Sequence, residues 1–160
     1  PRRRRSRKRR PRRPDVADPD PLDLAARSLR HRDRSTREVD DRLARAGVEA
    51  EQRAETLETL ARLGYVDDGR FAAARAAELA RRGWGDGAIR LRLEEAGVGA
   101  EDVEAALAGL VPERERAAES VARDGASART ARRLLAKGFA EDVVAHAVGE
   151  NVAEDEAADV

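Results

Sequence analysis

Four basic side chains in the last third of the chain are spaced to act together on an anion. Arg129, Arg133 and Lys137 recur every fourth residue, and Arg132 lies beside them. Residues four apart share one face of a helix, and residues 126–138 contain no acid. This spacing predicts an unpaired positive stripe that binds phosphate groups or an acidic protein surface. The alternative is ordinary surface charge in an arginine-rich chain.

Two further groups of arginines are candidates for the same role, with the same alternative. One group consists of Arg81, Arg82, Arg90 and Arg92, and the other of Arg27, Arg30, Arg32 and Arg34. Ser35 followed by Glu38 is a capping box, which predicts that a helix begins after Ser35. In this helix, by contrast, bases and acids are mixed, so that Arg37 can pair with Asp41 and Glu38 with Arg42. We expect those charges to be a solvated helix face.

Most catalytic chemistry is excluded by residue type. The 160 residues include no cysteine and only two histidines, His31 and His146, which have no partner at metal-ligand spacing. The glycine-rich segment 83–87 lacks the lysine of a phosphate-binding loop and a preceding strand, so it is predicted to be a connector. We therefore expect no enzyme, no metal, no cofactor and no small-molecule substrate. No apolar run approaches the roughly 20 residues that span a bilayer, so we expect no membrane partner.

Charge is segregated along a chain whose net charge is zero. Residues 1–14 carry ten Arg or Lys and no acid, whereas residues 150–160 carry five acids and no base. Residues 1–21 are predicted to be a disordered Arg-rich arm and linker, and residues 153–160 an acidic tail. The arm either binds nucleic acid through its phosphates or is a solubilising extension.

The elements that position these side chains are marked by a repeated helix ending. A leucine is followed four residues later by glycine and then by an apolar residue, which predicts a helix stop with the glycine in the left-handed conformation. The pattern occurs at Leu43/Gly47/Val48, Leu60/Gly64/Tyr65, Leu79/Gly83/Trp84, Leu93/Gly97/Val98 and Leu134/Gly138/Phe139. It predicts short helices that end abruptly.

The order of these helices predicts an all-α fold of three tandem three-helix repeats, over residues 22–66, 67–111 and 112–152, in an elongated, curved arrangement. Gly47, Gly97 and Gly138 are the corresponding stops. The inward positions of the middle helices are Val39 and Leu43, Ile89 and Leu93, and Thr130 and Leu134. In the helix before Gly64, we expect Ala54, Leu57, Leu60 and Leu63 to point inward.

One segment resembles a known family. Leu63, Gly64, Tyr65, Asp67, Asp68 and Phe71, flanked by the later stops at Gly83 and Gly97, resemble the RecX regulatory proteins over roughly residues 22–150. Read from the residues, Tyr65 is expected to cover Leu60, Asp67 or Asp68 to cap the next helix, and Phe71 to be buried. We expect structural roles for these side chains rather than contact with a partner.

The resemblance implies a cytoplasmic, all-helical regulator of DNA repair, recombination and the SOS response. Such a protein binds the RecA recombinase filament and inhibits its recombinase and ATPase activity. The implied partners are the filament and single-stranded or duplex DNA without sequence preference. Two alternatives remain open at this point: a helix-turn-helix-type DNA-binding regulator, and a helical scaffold unconnected with recombination.

Overall fold

The computed structural model describes residues 20–30 and 32–158. Within these ranges the chain forms nine α-helices and no strand. They are α1 (Pro21–Leu29), α2 (Thr36–Arg45), α3 (Ala50–Arg62), α4 (Asp68–Arg81), α5 (Asp86–Glu95), α6 (Ala100–Ala108), α7 (Glu113–Asp124), α8 (Ala128–Ala136) and α9 (Glu141–Ala158). Of the arm and linker predicted for residues 1–21, residues 1–19 lie outside the described ranges, as do His31 and the last two residues.

The helices pack in threes around separate small cores. We call α1–α3, α4–α6 and α7–α9 the first, second and third repeats. The first core contains Ala25, Val39, Leu43, Leu60 and Val66; the second contains Phe71, Ala72, Ala76, Leu79, Ile89, Leu93, Val98, Val103 and Ala106; the third contains Ala117, Val121, Leu134, Phe139, Val144 and Ala147. The predicted all-α fold of three-helix repeats is confirmed.

The predicted helix stops are present. Gly47, Gly64, Gly83, Gly97 and Gly138 all have φ between +72° and +84°. After each one, the apolar residue donates its backbone N–H to the leucine five residues earlier, for example Val48 to Leu43 at 3.1 Å and Tyr65 to Leu60 at 2.9 Å. The sequence pattern missed a further positive φ, at Gly125.

The middle helices bury the residues that the pattern assigned to the core. Val39, Leu43, Ile89 and Leu93 are at most 1% exposed, and Leu134 is 2% exposed. Thr130 is also buried, at 4%. Its hydroxyl forms a hydrogen bond of 3.1 Å with the hydroxyl of Ser127. A threonine can therefore take a core position because its polar atom has a partner.

The end of α3 departs from the expected packing. Leu63 is 62% exposed and Ala54 is also exposed, so the prediction that these two face inward is wrong. Tyr65, which was predicted to cover Leu60, is itself 61% exposed. The buried stripe of α3 consists instead of Thr56 and Leu60, one turn apart. After Gly64 the chain turns so that Val66, rather than Tyr65, enters the first core.

Helix starts were predicted with partial success. Ser35 caps α2 by accepting the N–H of Glu38 at 3.1 Å, but the Glu38 carboxylate pairs with Arg32 rather than Arg42. Of the two candidate caps before α4, Asp67 is the one that serves, accepting the N–H of Arg70 at 2.8 Å. The side chain of Asp68 is directed to another repeat, as described below.

Candidate functional site

The predicted stripe on α8 is only partly unpaired. Arg133 donates to Asp124 at 2.5 Å, and this hydrogen bond holds the pKa of the Asp124 carboxyl below its usual range. The prediction of four free cations is therefore wrong for Arg133. Its partner, Asp124, lies just before the acid-free segment 126–138, and the turn at Gly125 places the Asp124 carboxylate beside α8. Lys137 packs over the Trp84 ring, 4.0 Å from the centroid.

The second predicted group is divided among separate partners. Arg90 forms two hydrogen bonds with Glu104 on α6, which lower the pKa of that carboxyl, and Arg92 stacks on Trp84 at 3.8 Å. Arg82 reaches Glu78 at 3.4 Å. These three arginines do not form one cationic surface.

Within the α8 stripe and the second predicted group, three cations are exposed and form no ion pair with any residue in the two described ranges: Arg81, Arg129 and Arg132. The side chain of Arg132 donates to the Ala128 carbonyl, one turn earlier, at 3.2 Å. Because their charge is not neutralised within the described chain, these three are the candidate binding residues that the geometry leaves available in these two groups.

A basic groove of about 530 Å³ lies between the end of α4 and α7. Its charged lining consists of Arg81, Arg82, Arg116, Arg123 and Glu119. Arg116 and Arg123 were not predicted as binding residues from the sequence. Their separation of seven residues, which places both on one face of α7, is the signal that could have found them.

In the third predicted group, near α1, Arg27 and Arg30 are exposed and form no ion pair with a described residue, whereas Arg32 and Arg34 have partners. Arg34 donates to the Ser28 carbonyl at 2.9 Å, and burial lowers its pKa. Arg32 pairs with Glu38 at the rim of a second groove, of about 560 Å³, between the first and second repeats. That groove has a mixed lining of Arg32, Arg75, Arg92, Asp33, Glu38, Glu78 and Glu95, so its charges largely cancel.

The second and third repeats meet where the connector before α5 packs against the end of α8. The backbone N–H of Gly85 donates to the Lys137 carbonyl at 2.9 Å, and that of Gly87 to the Gly138 carbonyl at 3.1 Å. A Cβ atom at Gly85 would overlap the backbone of Gly138 and Phe139. We call this contact the second junction.

Two side chains of α7 hold the second junction. Glu113 accepts the N–H of Asp86 at 2.6 Å and that of Ala140 at 3.4 Å. Arg116, whose side chain is only 10% exposed, pairs with Asp86 and donates to the Trp84 carbonyl at 2.8 Å. The predicted connector is therefore bound on both sides by the third repeat.

The first and second repeats meet where the start of α2 packs against the end of α5. The hydroxyl of Ser35 donates to the Ala96 carbonyl at 2.5 Å, and Asp68 accepts the N–H of Thr36 at 2.7 Å. The alkyl stem of Arg37 lies against Gly97. We call this contact the first junction.

Among the described residues, no group of three His, Asp or Glu side chains is arranged to hold a metal ion. None of the described helices is long and apolar enough to cross a bilayer. His146 is exposed on α9.

Known proteins resemble this chain in sequence and in fold. Residues 67–107 match the family model described as "RecX, second three-helix domain". The "Regulatory protein RecX" of two strains of Acidithiobacillus ferrooxidans is 34% identical over 144 residues, covering 88% of this chain and 96% of the relative. The crystal structure of RecX from Lactobacillus salivarius superposes with a TM-score of 0.71 at 20% identity, over 81% of this chain and 93% of the other. A second structure, of a regulatory protein RecX, has a TM-score of 0.66 at 22% identity, over 79% of this chain and 68% of the other.

Proposed function

The chain belongs to the RecX family, and we propose that it binds the filament of a RecA recombinase and inhibits its recombinase and ATPase activities. Its relatives are named regulatory proteins, which suggests a role other than catalysis. In this role the chain modulates DNA repair and recombination in the cytoplasm, with the RecA filament as its partner.

The observation that carries the binding mode is the exposure of Arg81, Arg129 and Arg132, none of which is neutralised by a residue in the described ranges. A RecA filament presents DNA phosphates and acidic protein surface, and both attract guanidinium groups. The three arginines come from the second and third repeats, which the second junction ties together. We propose that they contact the filament, with single-stranded or duplex DNA as a further partner without sequence preference.

The test is the DNA-dependent ATPase activity of purified RecA, titrated with the full chain. We expect inhibition at less than one chain per recombinase subunit. The variant Arg81→Ser/Arg129→Ser/Arg132→Ser should inhibit less and show a weaker dependence on salt, because fewer phosphate or carboxylate contacts are made.

A matched control carries the same change of charge at paired positions, Arg82→Ser/Arg90→Ser/Arg133→Ser. Their charges are already balanced by Glu78, Glu104 and Asp124, so this variant should inhibit almost as well as the unmodified chain. Equal inhibition by both triple variants would remove the three arginines from the site. No inhibition by the unmodified chain at any dose would contradict the proposed function itself.

A helix-turn-helix-type DNA-binding regulator is the second candidate, because short helices joined by tight turns carry the clustered arginines. Binding of the chain to random and to selected duplexes, without recombinase, separates the two candidates. A repressor binds one duplex sequence far more tightly than random DNA. The filament regulator should show no such preference.

A further inference from the structure

The two junctions use corresponding positions of successive repeats. The middle helix of each repeat, which is α2, α5 or α8, ends at a glycine. In each junction, the residue before that glycine accepts, through its backbone carbonyl, a hydrogen bond from the N-cap residue of the middle helix in the preceding repeat. Ala96 accepts from the Ser35 hydroxyl at 2.5 Å, and Lys137 accepts from the Gly85 N–H at 2.9 Å. The junctions therefore share one geometry, although they are built from different residues.

A carboxylate completes each junction at the same place. Asp68, the first residue of α4, accepts the N–H of Thr36, the first residue of α2. Glu113, the first residue of α7, accepts the N–H of Asp86, the first residue of α5. Each repeat thus presents the start of its middle helix to the repeat that follows and the end of its middle helix to the repeat that precedes.

The end of the first repeat's middle helix is unoccupied by any described residue. A Cβ atom at Gly97 would meet Arg37, and one at Gly138 would meet Ala88, because each glycine lies under the preceding repeat. At the corresponding Gly47, no described residue other than its two chain neighbours comes within 4 Å of that position. Ala46, whose carbonyl corresponds to those of Ala96 and Lys137, is exposed. We call Ala46 and Gly47 the tail face.

The start of the third repeat's middle helix is exposed in the same way. Ser127 caps α8 by accepting the N–H of Thr130 at 3.2 Å, as Ser35 caps α2. Ala128 and Arg129 follow it at the first and second positions of α8. In α2 the second position is Arg37, whose stem covers Gly97. We call Ser127, Ala128 and Arg129, which are all exposed, the head face.

We propose that the head face of one copy of this chain docks on the tail face of a second copy, which continues the stacking of the repeats from one molecule to the next. The Ser127 hydroxyl then donates to the Ala46 carbonyl of the second copy, and the Arg129 stem covers its Gly47. The contact joins two different surfaces, so each dimer retains one free head and one free tail and can grow into a longer chain.

Two differences make this contact weaker than the junctions within the chain. The first helix of the first repeat begins with Pro21, where α4 and α7 begin with carboxylates. In addition, Ser127 precedes its glycine by 11 residues, whereas Ser35 and Gly85 precede theirs by 12. The association should therefore depend on concentration, as small transient interfaces do.

The test is sedimentation velocity of the full chain between roughly 10 µM and 1 mM, the range of weak complexes. The mean sedimentation coefficient should rise with concentration. Ala46→Arg blocks the tail face and Ala128→Arg blocks the head face, so each variant alone should stay monomeric. Because each retains one intact face, an equimolar mixture of the two should form dimers and nothing longer.

Ala105→Arg, at an exposed position of α6 away from both faces, is the matched control and should associate like the unmodified chain. Circular dichroism checks that every variant is folded. A sedimentation coefficient of the unmodified chain that does not change with concentration would overturn the proposal. So would self-association of Ala46→Arg or Ala128→Arg alone, or a mixture of the two that stays monomeric.

Discussion

The two junctions place equivalent helix ends against each other but hold them with different groups. The first depends on side chains, since Ser35 reaches the Ala96 carbonyl with its hydroxyl and Arg37 covers Gly97 with its stem. The second depends on the backbone, since Gly85 and Gly87 donate their own N–H groups to the stop of α8. The same stacking is thus obtained in two ways. In the first junction, side chains span the distance between the two helix ends, whereas in the second, glycines without side chains let the two backbones touch.

This difference decides what each junction tolerates. The second junction leaves no room at Gly85 for even a methyl group. Arg116 and Glu113 also bind the residues that flank it, Arg116 by pairing with Asp86 and Glu113 by accepting the N–H groups of Asp86 and Ala140. The first junction can lose one hydroxyl and keep its backbone in place. We therefore expect substitutions to cost more at the second junction than at the first.

The largest expected effect is on the packing of the second core, whose repeat takes part in both junctions. Phe71 is 7% exposed and packs in that core, so Phe71→Ala should lower the free energy of unfolding by about 3 to 5 kcal/mol. Chemical denaturation followed by circular dichroism measures this. Tyr65→Ala is the control: its ring is 61% exposed, so the loss should stay below about 1 kcal/mol. Equal losses for the two variants would contradict the placement of both rings.

Next comes the close backbone contact of the second junction. Gly85→Ala forces a methyl group into the backbone of Gly138 and Phe139, which should cost about 1 to 3 kcal/mol. Trp84 is the one tryptophan of the chain and packs beside Arg92 and Lys137. Its fluorescence therefore reports on this junction directly, and its emission should shift in the variant.

Gly149→Ala is the matched control for that experiment. Gly149 lies within α9, and no described residue outside the neighbouring backbone of that helix comes within 4 Å of the position of an added Cβ. The substitution should stabilise the chain by about 0.5 to 1 kcal/mol, because alanine restricts the unfolded chain and favours helix. If Gly85→Ala behaved like this control, the second junction would be looser than described.

The side-chain contact of the first junction has a smaller expected effect, of about 1 kcal/mol, which is the difference between two variants. Ser35→Ala removes both the cap of α2 and the bond to the Ala96 carbonyl, with an expected loss of about 2 kcal/mol. Asp67→Ala removes the cap of α4 at a residue without a described contact to another repeat, and should cost about 1 kcal/mol. The difference between the two, read from denaturation midpoints, is the contribution of the junction. A larger loss for Asp67→Ala would reverse the assignment.

The smallest expected effect is on pH dependence. The hydrogen bond from Arg90 lowers the pKa of Glu104 below its ordinary value, which is about 4. The resulting stability is present above that value and is lost as the pH falls through the lowered pKa. Melting temperatures between pH 6 and pH 2 should therefore fall less steeply in Glu104→Gln than in the unmodified chain. An unchanged slope would show that this exposed pair contributes nothing measurable.

The features that could be predicted from the sequence are local ones. Helix stops at glycine, the N-cap at Ser35 and the buried stripe of α2 each depend on residues within one or two turns. The junctions could not be predicted in this way, because Glu113 and Asp86 are 27 residues apart and nothing in their spacing indicates contact. The prediction that Arg133 is unpaired was wrong for the same reason: Asp124 neutralises Arg133 across the turn at Gly125.

The central proposal is that this chain binds a RecA filament. Binding can be measured most directly by the fluorescence anisotropy of a labelled chain added to RecA assembled on single-stranded DNA. We predict saturable binding that weakens as salt is raised, with lower affinity for Arg81→Ser/Arg129→Ser/Arg132→Ser. Anisotropy that stays at the value of the free chain over the whole titration, at low salt and with active filaments, would contradict the account.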